Sequence, residues 1–163
     1  MAAYTISNLN GSASQQNLSS SFKTILLITA ATGATTLRRG WLMEWEIGAD
    51  AVPNSTDCPI SWSIDTQTAA GTITSLTPLP NDIGGGDAAA LLVYGCNATA
   101  EGTITANSNL WYMGLNQRAS YRVQMRDEWS ALIVPAVNLK GLAMRAKSPN
   151  YASTVGWRGL VRE

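Results

Sequence analysis

The residues of this chain that could do chemistry are few, and two carboxylates come first among them. Glu44 and Glu46 lie two apart in a run with alternating hydrophobic residues, so both side chains project from one face of a strand. A glycosidase pair instead needs two carboxyl groups across a cleft, about 5–9 Å apart, with one of them desolvated. The pattern therefore favours an acidic stripe that is solvated or lies between subunits.

The sequence contains no His, which removes several classes of site. Ser-His-Asp and Cys-His nucleophiles, His general bases and imidazole metal ligands all require that residue. No nucleophile motif or paired-acid motif stands in its place. We therefore predict that the protein is not an enzyme and that it uses no metal or other cofactor.

Two cysteines and one glycine-rich loop are the remaining candidates for chemistry. Cys58 and Cys96 lack metal-ligand spacing, and we predict buried free thiols, with a disulfide between them as the alternative. The loop Asn81–Asp87 has an Asp on each side of three glycines. It lacks the ligand spacing and the closing Glu of a calcium loop, and it lacks the phosphate-loop pattern. We interpret it as a surface loop.

The elements that must position these residues are strands. From Phe22 onward, short apolar or alternating runs repeat at spacings of roughly 8–15 residues, separated by Gly, Pro and Asn clusters. No segment shows a 3.6-residue period. The pattern predicts an all-β fold, a jelly roll or sandwich of two packed antiparallel sheets. The predicted strands are Phe22–Thr29, Trp41–Ile47, Ile60–Ile64, Thr72–Thr77, Leu91–Tyr94, Gly102–Ala106, Leu110–Leu115, Tyr121–Met125, Ala131–Val134, Leu139–Ala146 and Thr154–Val161.

A change of composition near residue 22 divides the chain. Met1–Ser21 is rich in Ser, Asn, Gln and Gly, and its few apolar residues, among them Tyr4, Ile6 and Leu9, do not offset its ordering entropy. We interpret this segment as an N-terminal arm that becomes ordered on a partner, with a loose tail as the alternative. A short strand around residues 4–6 is compatible with either. Phe22–Glu163 is the predicted β-sandwich domain.

The aromatic residues are unusual, with six Trp and one Phe. Trp41, Trp45 and Trp62 fall on the apolar phase of their strands, where core packing explains them. Trp111 and Trp129 are the better candidates for exposure. Because an exposed indole can stack on a sugar ring, a carbohydrate-binding β-sandwich is the alternative function.

Charge is unevenly distributed although the formal net charge is zero. Residues 40–117 contain eight carboxylates and no Lys or Arg, whereas residues 118–163 contain eight basic residues and three acidic ones. Complementary segments suit contact between copies, or they interleave within one subunit. The absence of a basic excess argues against a nucleic-acid partner. Apolar runs such as Ala88–Tyr94 fall far below the roughly 20 residues that span a bilayer, so no membrane partner is expected.

The last third of the chain carries a resemblance to a known family. Leu115–Val123, Leu132–Ala136 and Gly141–Met144, together with the opening Ala3–Ser7 and its polar arm, resemble small head-decoration (cement) proteins of tailed bacteriophages. Those proteins have a jelly-roll, tumour-necrosis-factor-like domain. The resemblance implies a homotrimeric knob on the outside of the virion capsid, made in the host cytoplasm and seated between subunits of the major capsid protein.

The resemblance also implies where contacts lie, namely on the arm over Tyr4–Leu9 and on the loop Asn116–Arg118. The leading expectation is therefore a non-enzymatic virion structural protein that bridges major capsid subunits. The alternative is a lectin-like or receptor-binding β-sandwich. The residues expected at the capsid or subunit interface are Tyr4, Ile6, Leu9, Asn116, Gln117, Arg118, Arg122 and Trp129.

Overall fold

The structure is a computed structural model that describes residues 2–10, 15–30, 38–82 and 92–163. Twelve strands lie within these residues, and a short 3-10 helix, Asn8–Asn10, follows the first. The strands are β1 (Ala3–Ser7), β2 (Lys23–Thr29), β3 (Gly40–Ala49), β4 (Pro59–Ala69), β5 (Thr72–Ser75), β6 (Leu79–Pro80), β7 (Val93–Ala100), β8 (Thr103–Asn116), β9 (Ser120–Gln124), β10 (Leu132–Val134), β11 (Gly141–Lys147) and β12 (Val155–Arg162).

The strands form two six-stranded antiparallel sheets. The front sheet has the order β10-β3-β12-β1-β6, and β9 pairs with the same edge of β3 as β10. The back sheet has the order β5-β7-β2-β11-β4-β8. The predicted all-β sandwich of two antiparallel sheets is confirmed, and the arrangement is consistent with a jelly-roll-like fold. Within the described residues, no helix has the length and apolar character needed to cross a membrane.

Four tryptophans pack edge to face through the centre of the sandwich. Trp111 lies 5.6 Å from Trp45 and 6.2 Å from Trp157 between ring centroids, and Trp157 lies 5.7 Å from Trp62. Such T-shaped pairs add to the area that the rings bury. Core positions for Trp45 and Trp62 are confirmed. Trp111 differs from the expectation, because it is half-buried and packs against the core from the edge strand β8.

Trp41 also departs from its predicted core position. The register between β3 and β12 shifts at Met43, where β3 has one residue more than its partner. Because this bulge changes the alternation by one residue, Leu42 joins the core and Trp41 remains half-buried. A one-residue bulge cannot be detected in an alternating sequence. The alternation alone therefore predicted that Trp41 is in the core.

The first strand belongs to the sandwich and is not a detached arm. β1 is hydrogen-bonded to β12 on one edge and to β6 on the other. Tyr4 is 3% exposed and Ile6 is 1% exposed, so both lie in the core of this chain. Leu18 is buried as well, and its N–H donates to the Ser153 carbonyl. Two apolar residues at alternate positions suffice here because both strand edges are paired, which composition does not reveal.

Two further predictions, one about strands and one about a loop, have different outcomes. The separate strands expected at Gly102–Ala106 and Leu110–Leu115 are one strand, β8, which bulges away from β4 around Asn107, a residue with φ of 55°. Of the predicted loop Asn81–Asp87, only Asn81 and Asp82 belong to the described residues, and both are exposed. The rest of that loop lies outside them.

Candidate interaction surface

The outward side of the front sheet is an open surface of polar and small side chains, which we call the front face. Trp45 and Trp157 point into the core, so their neighbours along β3 and β12 point outward. Cross-strand partners on β1 and β9 share that direction. The front face consists of Thr5, Ser7, Glu44, Glu46, Gly48, Ser120, Arg122, Gln124, Gly156, Arg158 and Leu160.

Charges of alternating sign cross the centre of the front face. Glu46 stands opposite Arg158 on one side and opposite Arg122 on the other. The Arg122 guanidinium donates from Nε to Glu44 Oε1 at 2.8 Å, and its Nη2 lies 2.7 Å from the same oxygen. Hydrogen bonding to Glu44, and then its charge, raises the pKa of Arg122. The two carboxylates do share one face, as predicted, but arginines from both neighbouring strands offset the acidic stripe.

Two shallow depressions lie beside these charges. In the first, of about 300 Å³, Gly48 and Gly156 face each other across β3 and β12, and the exposed Leu9 side chain lies against Gly156. Because neither glycine has a side chain, the sheet backbone forms the floor of this depression. The second, of about 200 Å³, is lined by Thr5, Glu44, Asn81, Arg122, Arg158, Gly159 and Leu160. A partner surface can therefore approach the sheet backbone closely between charged side chains.

The structure divides the eight predicted contact residues into three groups. Tyr4 and Ile6 are in the core and are not available to a partner. Arg122 belongs to the front face, and Leu9 lies beside it against Gly156. The turn Asn116–Arg118 leads into β9, and Trp129 lies in the loop that leaves it. Strand β9 thus has the Asn116–Arg118 turn before it and the Trp129 loop after it, with Arg122 on the front face between them.

Gln117 has a structural role within the β8–β9 turn. Its side chain is buried, its Oε1 accepts from the Asn54 N–H at 3.1 Å, and its Nε2 donates to the carbonyls of Asn54 and Thr56. Arg118 is half-exposed, and its Nε lies 2.9 Å from Asp57 Oδ1. Gln117 therefore holds the segment 54–57 in place, while the Asn116 and Arg118 side chains stay at the surface.

Trp129 is 97% exposed, which confirms the predicted exposure. It sits on a turn closed by Asp127 and Ser130: the Ser130 N–H donates to Asp127 Oδ1 at 2.9 Å, and the Ser130 hydroxyl donates to the Asp127 carbonyl at 2.9 Å. Glu128 lies 3.5 Å from Arg162 on β12. The loop that carries the exposed indole is thus fixed by its own polar side chains.

Sequence reasoning missed the two glycines of the floor and Arg158. The alternation around Trp157 already places Arg158 on the outward phase of its strand. What the alternation does not show is that β12 lies between β1 and β3, which puts Arg158 beside Glu46. The site therefore becomes visible only when the strand order is known.

A second charged cluster lies on the back sheet. Arg145 Nη1 is 3.4 Å from Asp65 Oδ2, and its Nε is 4.0 Å from Glu101 Oε2. Glu101 also accepts from the N–H and hydroxyl of Thr24, and Asp65 accepts from the Ser63 hydroxyl. These contacts join β2, β4 and β11 to the residue that follows β7, so the cluster ties the back sheet together.

Both cysteines are free thiols, as predicted, and both are buried. Burial raises the pKa of the Cys96 thiol. The Cys58 thiol lies 3.3 Å from the carbonyls of Thr56 and Asn150. Over the part of the chain that the structure describes, no group of three or more His, Cys, Asp or Glu side chains is placed to hold a metal ion.

Comparisons with known proteins found no match. No protein-family model, no curated protein and no solved structure matches the chain.

Proposed function

We propose that this chain is a non-enzymatic structural protein of a virion, which decorates the outside of a tailed-phage capsid and holds neighbouring major capsid subunits together. The observation that carries the proposal is the front face. It is an open, hydrogen-bonded sheet surface with alternating charges over a glycine floor. The capsid is proposed as the partner because the sequence resembles head-decoration proteins.

The front face suits rigid docking more than capture of a small molecule. Its backbone is fixed by pairing along β1, β12, β3 and β9, so little conformational entropy is lost when a partner binds. The alternation of Glu46 with Arg122 and Arg158 sets the register of a complementary surface. The mechanism is binding free energy alone. A protein that binds only the assembled shell stabilises that shell by linkage.

Self-association is the second part of the proposal. Strand β8 forms the edge of the back sheet, where it pairs with β4 alone among the strands that the structure describes. Its fourteen residues include no Lys, Arg, Asp, Glu or Pro, the residues that usually protect an edge, and it exposes Leu110 and Tyr112. Another copy fits this edge, in line with the homotrimer that the resemblance implies. Several copies that engage one shell gain by multivalency.

Capsid shells prepared without this protein test the proposal. We expect shells to which the purified protein is added to open at a higher temperature than bare shells, measured by the access of a dye to packaged DNA. The charge reversal Arg122→Glu should reduce binding, because it places like charges beside Glu44 and Glu46. Lys147→Glu, which reverses a cation on the back sheet, is the matched control. Equal heat stability of decorated and bare shells removes the cementing role.

The exposed indole of Trp129 supports a second candidate, a carbohydrate-binding β-sandwich. An aromatic ring in solvent can stack on the apolar face of a sugar. A glycan array, followed by measurement of tryptophan fluorescence with each sugar that binds, separates the two functions. Binding of a defined glycan, lost in Trp129→Ala, together with no binding to shells, favours the lectin.

A further inference from the structure

We propose that the segment Arg126–Lys140, which we call the tip segment, is a docking anchor in which the Trp129 indole enters an apolar pocket on an acidic protein surface. The inference rests on the proposed function in one respect, since the protein that offers the pocket is the capsid shell. It adds a site separate from the front face and names the chemistry of the surface that receives it.

The tip segment exposes four large apolar side chains. Trp129 is 97% exposed, whereas the other five tryptophans are buried or half-buried. Ile133, Val137 and Leu139 of the same segment are also exposed. The solvated indole buries little area in the free chain, whereas an aromatic ring of this size gains much when it is buried. Buried Trp is among the residues that dominate protein interfaces.

The backbone that carries Trp129 is organised before any partner arrives. Asp127 and Ser130 close the turn around it with reciprocal hydrogen bonds, and Glu128 is held by Arg162. The indole therefore binds with little loss of backbone entropy. Asp127 and Glu128 are already engaged in these contacts.

Leu139 provides an independent observation. It has φ of 64°, in the left-handed region that bulky side chains rarely adopt, and its side chain is 39% exposed. The turn around it is closed by the Lys140 N–H, which donates to the Val137 carbonyl at 3.1 Å. Gly would adopt this conformation without strain. A strained backbone that presents an apolar side chain to solvent points to a contact that uses that side chain.

Charge indicates which protein surface fits. Gly40 pairs with Val134, so Arg38 and Arg39 lie beside the start of the 135–140 loop, which itself contains Lys140. All three cations are exposed, and none of them forms an ion pair with a described residue. An acidic rim around an apolar pocket complements this arrangement. An anionic lipid surface is negatively charged like the acidic rim, but binding to lipid does not require a fixed turn.

Binding of purified variants to bare capsid shells tests the inference. Trp129→Ala should weaken binding by about 30-fold or more, because a central Trp is an interface hot spot. Its melting temperature should not change. Leu139→Gly should raise the melting temperature, because it relieves the strain, and yet weaken binding. Val52→Ala is the matched control, since Val52 is an exposed apolar residue in another loop, between β3 and β4, and should bind as the wild type does.

The outcomes distinguish failure of the proposed function from failure of the anchor alone. If the wild type does not bind shells, the proposed function is wrong, and the anchor, which depends on it, is wrong as well. If the wild type binds and Arg122→Glu weakens binding while Trp129→Ala does not, the front face stands and the anchor is wrong. If the wild type binds anionic phospholipid vesicles as tightly as shells and Trp129→Ala abolishes both, the occupant is a lipid surface and the inference is overturned.

Discussion

The side chain of Asn8 is hydrogen-bonded to the backbone of β12 on both sides of its amide. Its Oδ1 accepts from the Trp157 N–H at 2.6 Å, and its Nδ2 donates to the Val155 carbonyl at 2.9 Å. Asn8 is buried, so these bonds replace the water that both groups would otherwise bind. The pair shows how the polar N-terminal segment is held in the sandwich without a long apolar run.

The first prediction concerns that segment. Ile6→Ala should lower the free energy of unfolding by about 2–5 kcal/mol, because Ile6 is buried in the core between the sheets. Thr5→Ala, on the outward phase of the same strand, is the control and should cost far less. Urea unfolding followed by tryptophan fluorescence measures both changes. A protein that lacks residues 1–10 and unfolds at the wild-type urea concentration contradicts this assignment of β1.

The second prediction concerns alkaline pH. Burial, and then the hydrogen bond and charge of Glu163, raise the pKa of Tyr94 far above its usual value. The fold therefore holds the neutral hydroxyl, and its contribution to stability is complete below pH of about 10, the pKa in the unfolded chain. Above that pH the unfolded chain loses a proton that the folded chain keeps. Stability then falls by up to about 1.4 kcal/mol per pH unit for this group.

Unfolding in urea at a series of pH values from 8 to 11 measures this effect. Tyr94→Phe should reduce the alkaline loss of stability, although it also removes the 2.6 Å hydrogen bond from the Tyr94 hydroxyl to Glu163. Tyr112→Phe, at an exposed tyrosine, should leave the slope against pH unchanged. If stability falls with pH equally steeply in Tyr94→Phe and in the wild type, Tyr94 is not the source of the alkaline loss of stability.

The third prediction concerns the thiols. Both are free and buried, and burial raises the pKa of Cys96, so the native protein should react slowly with an alkylating reagent at pH 8. After unfolding without a reductant, a thiol titration should count both cysteines. Mass spectrometry of the alkylated protein identifies each residue. Rapid native labelling of Cys96, or a missing pair of thiols after unfolding, contradicts the structure.

The fourth prediction concerns the β8 edge. Replacing Leu110 and Tyr112 together by Lys should shift the protein to monomers in light scattering, because two cations on an otherwise uncharged edge disfavour pairing with another copy. Both side chains are exposed, so the change should have little effect on the melting temperature. Leu79→Lys, at another exposed position, is the control. An unchanged mass for the double variant moves the self-association surface elsewhere.

Several parts of the candidate site follow from local pattern. Glu44 and Glu46 share a face because a strand alternates, and the exposure of Trp129 was predicted from its place after two acidic residues in an expected loop. Arg122 alternates with Tyr121 and Val123, which placed it on a polar face from the start. Each of these assignments depends on neighbours within a few residues along the chain.

The sequence by itself determined that the chain is all β, that most of its strands lie near the predicted ranges, and that Trp45 and Trp62 are in the core. These properties depend on a two-residue period and on turn residues, which are local. Only the tertiary structure decided that β1 lies between β12 and β6, that a bulge at Met43 turns Trp41 out of the core, and that arginines from β9 and β12 flank Glu46. Strand order and register depend on contacts between residues far apart in the chain, and hydrophobic periodicity carries no record of them.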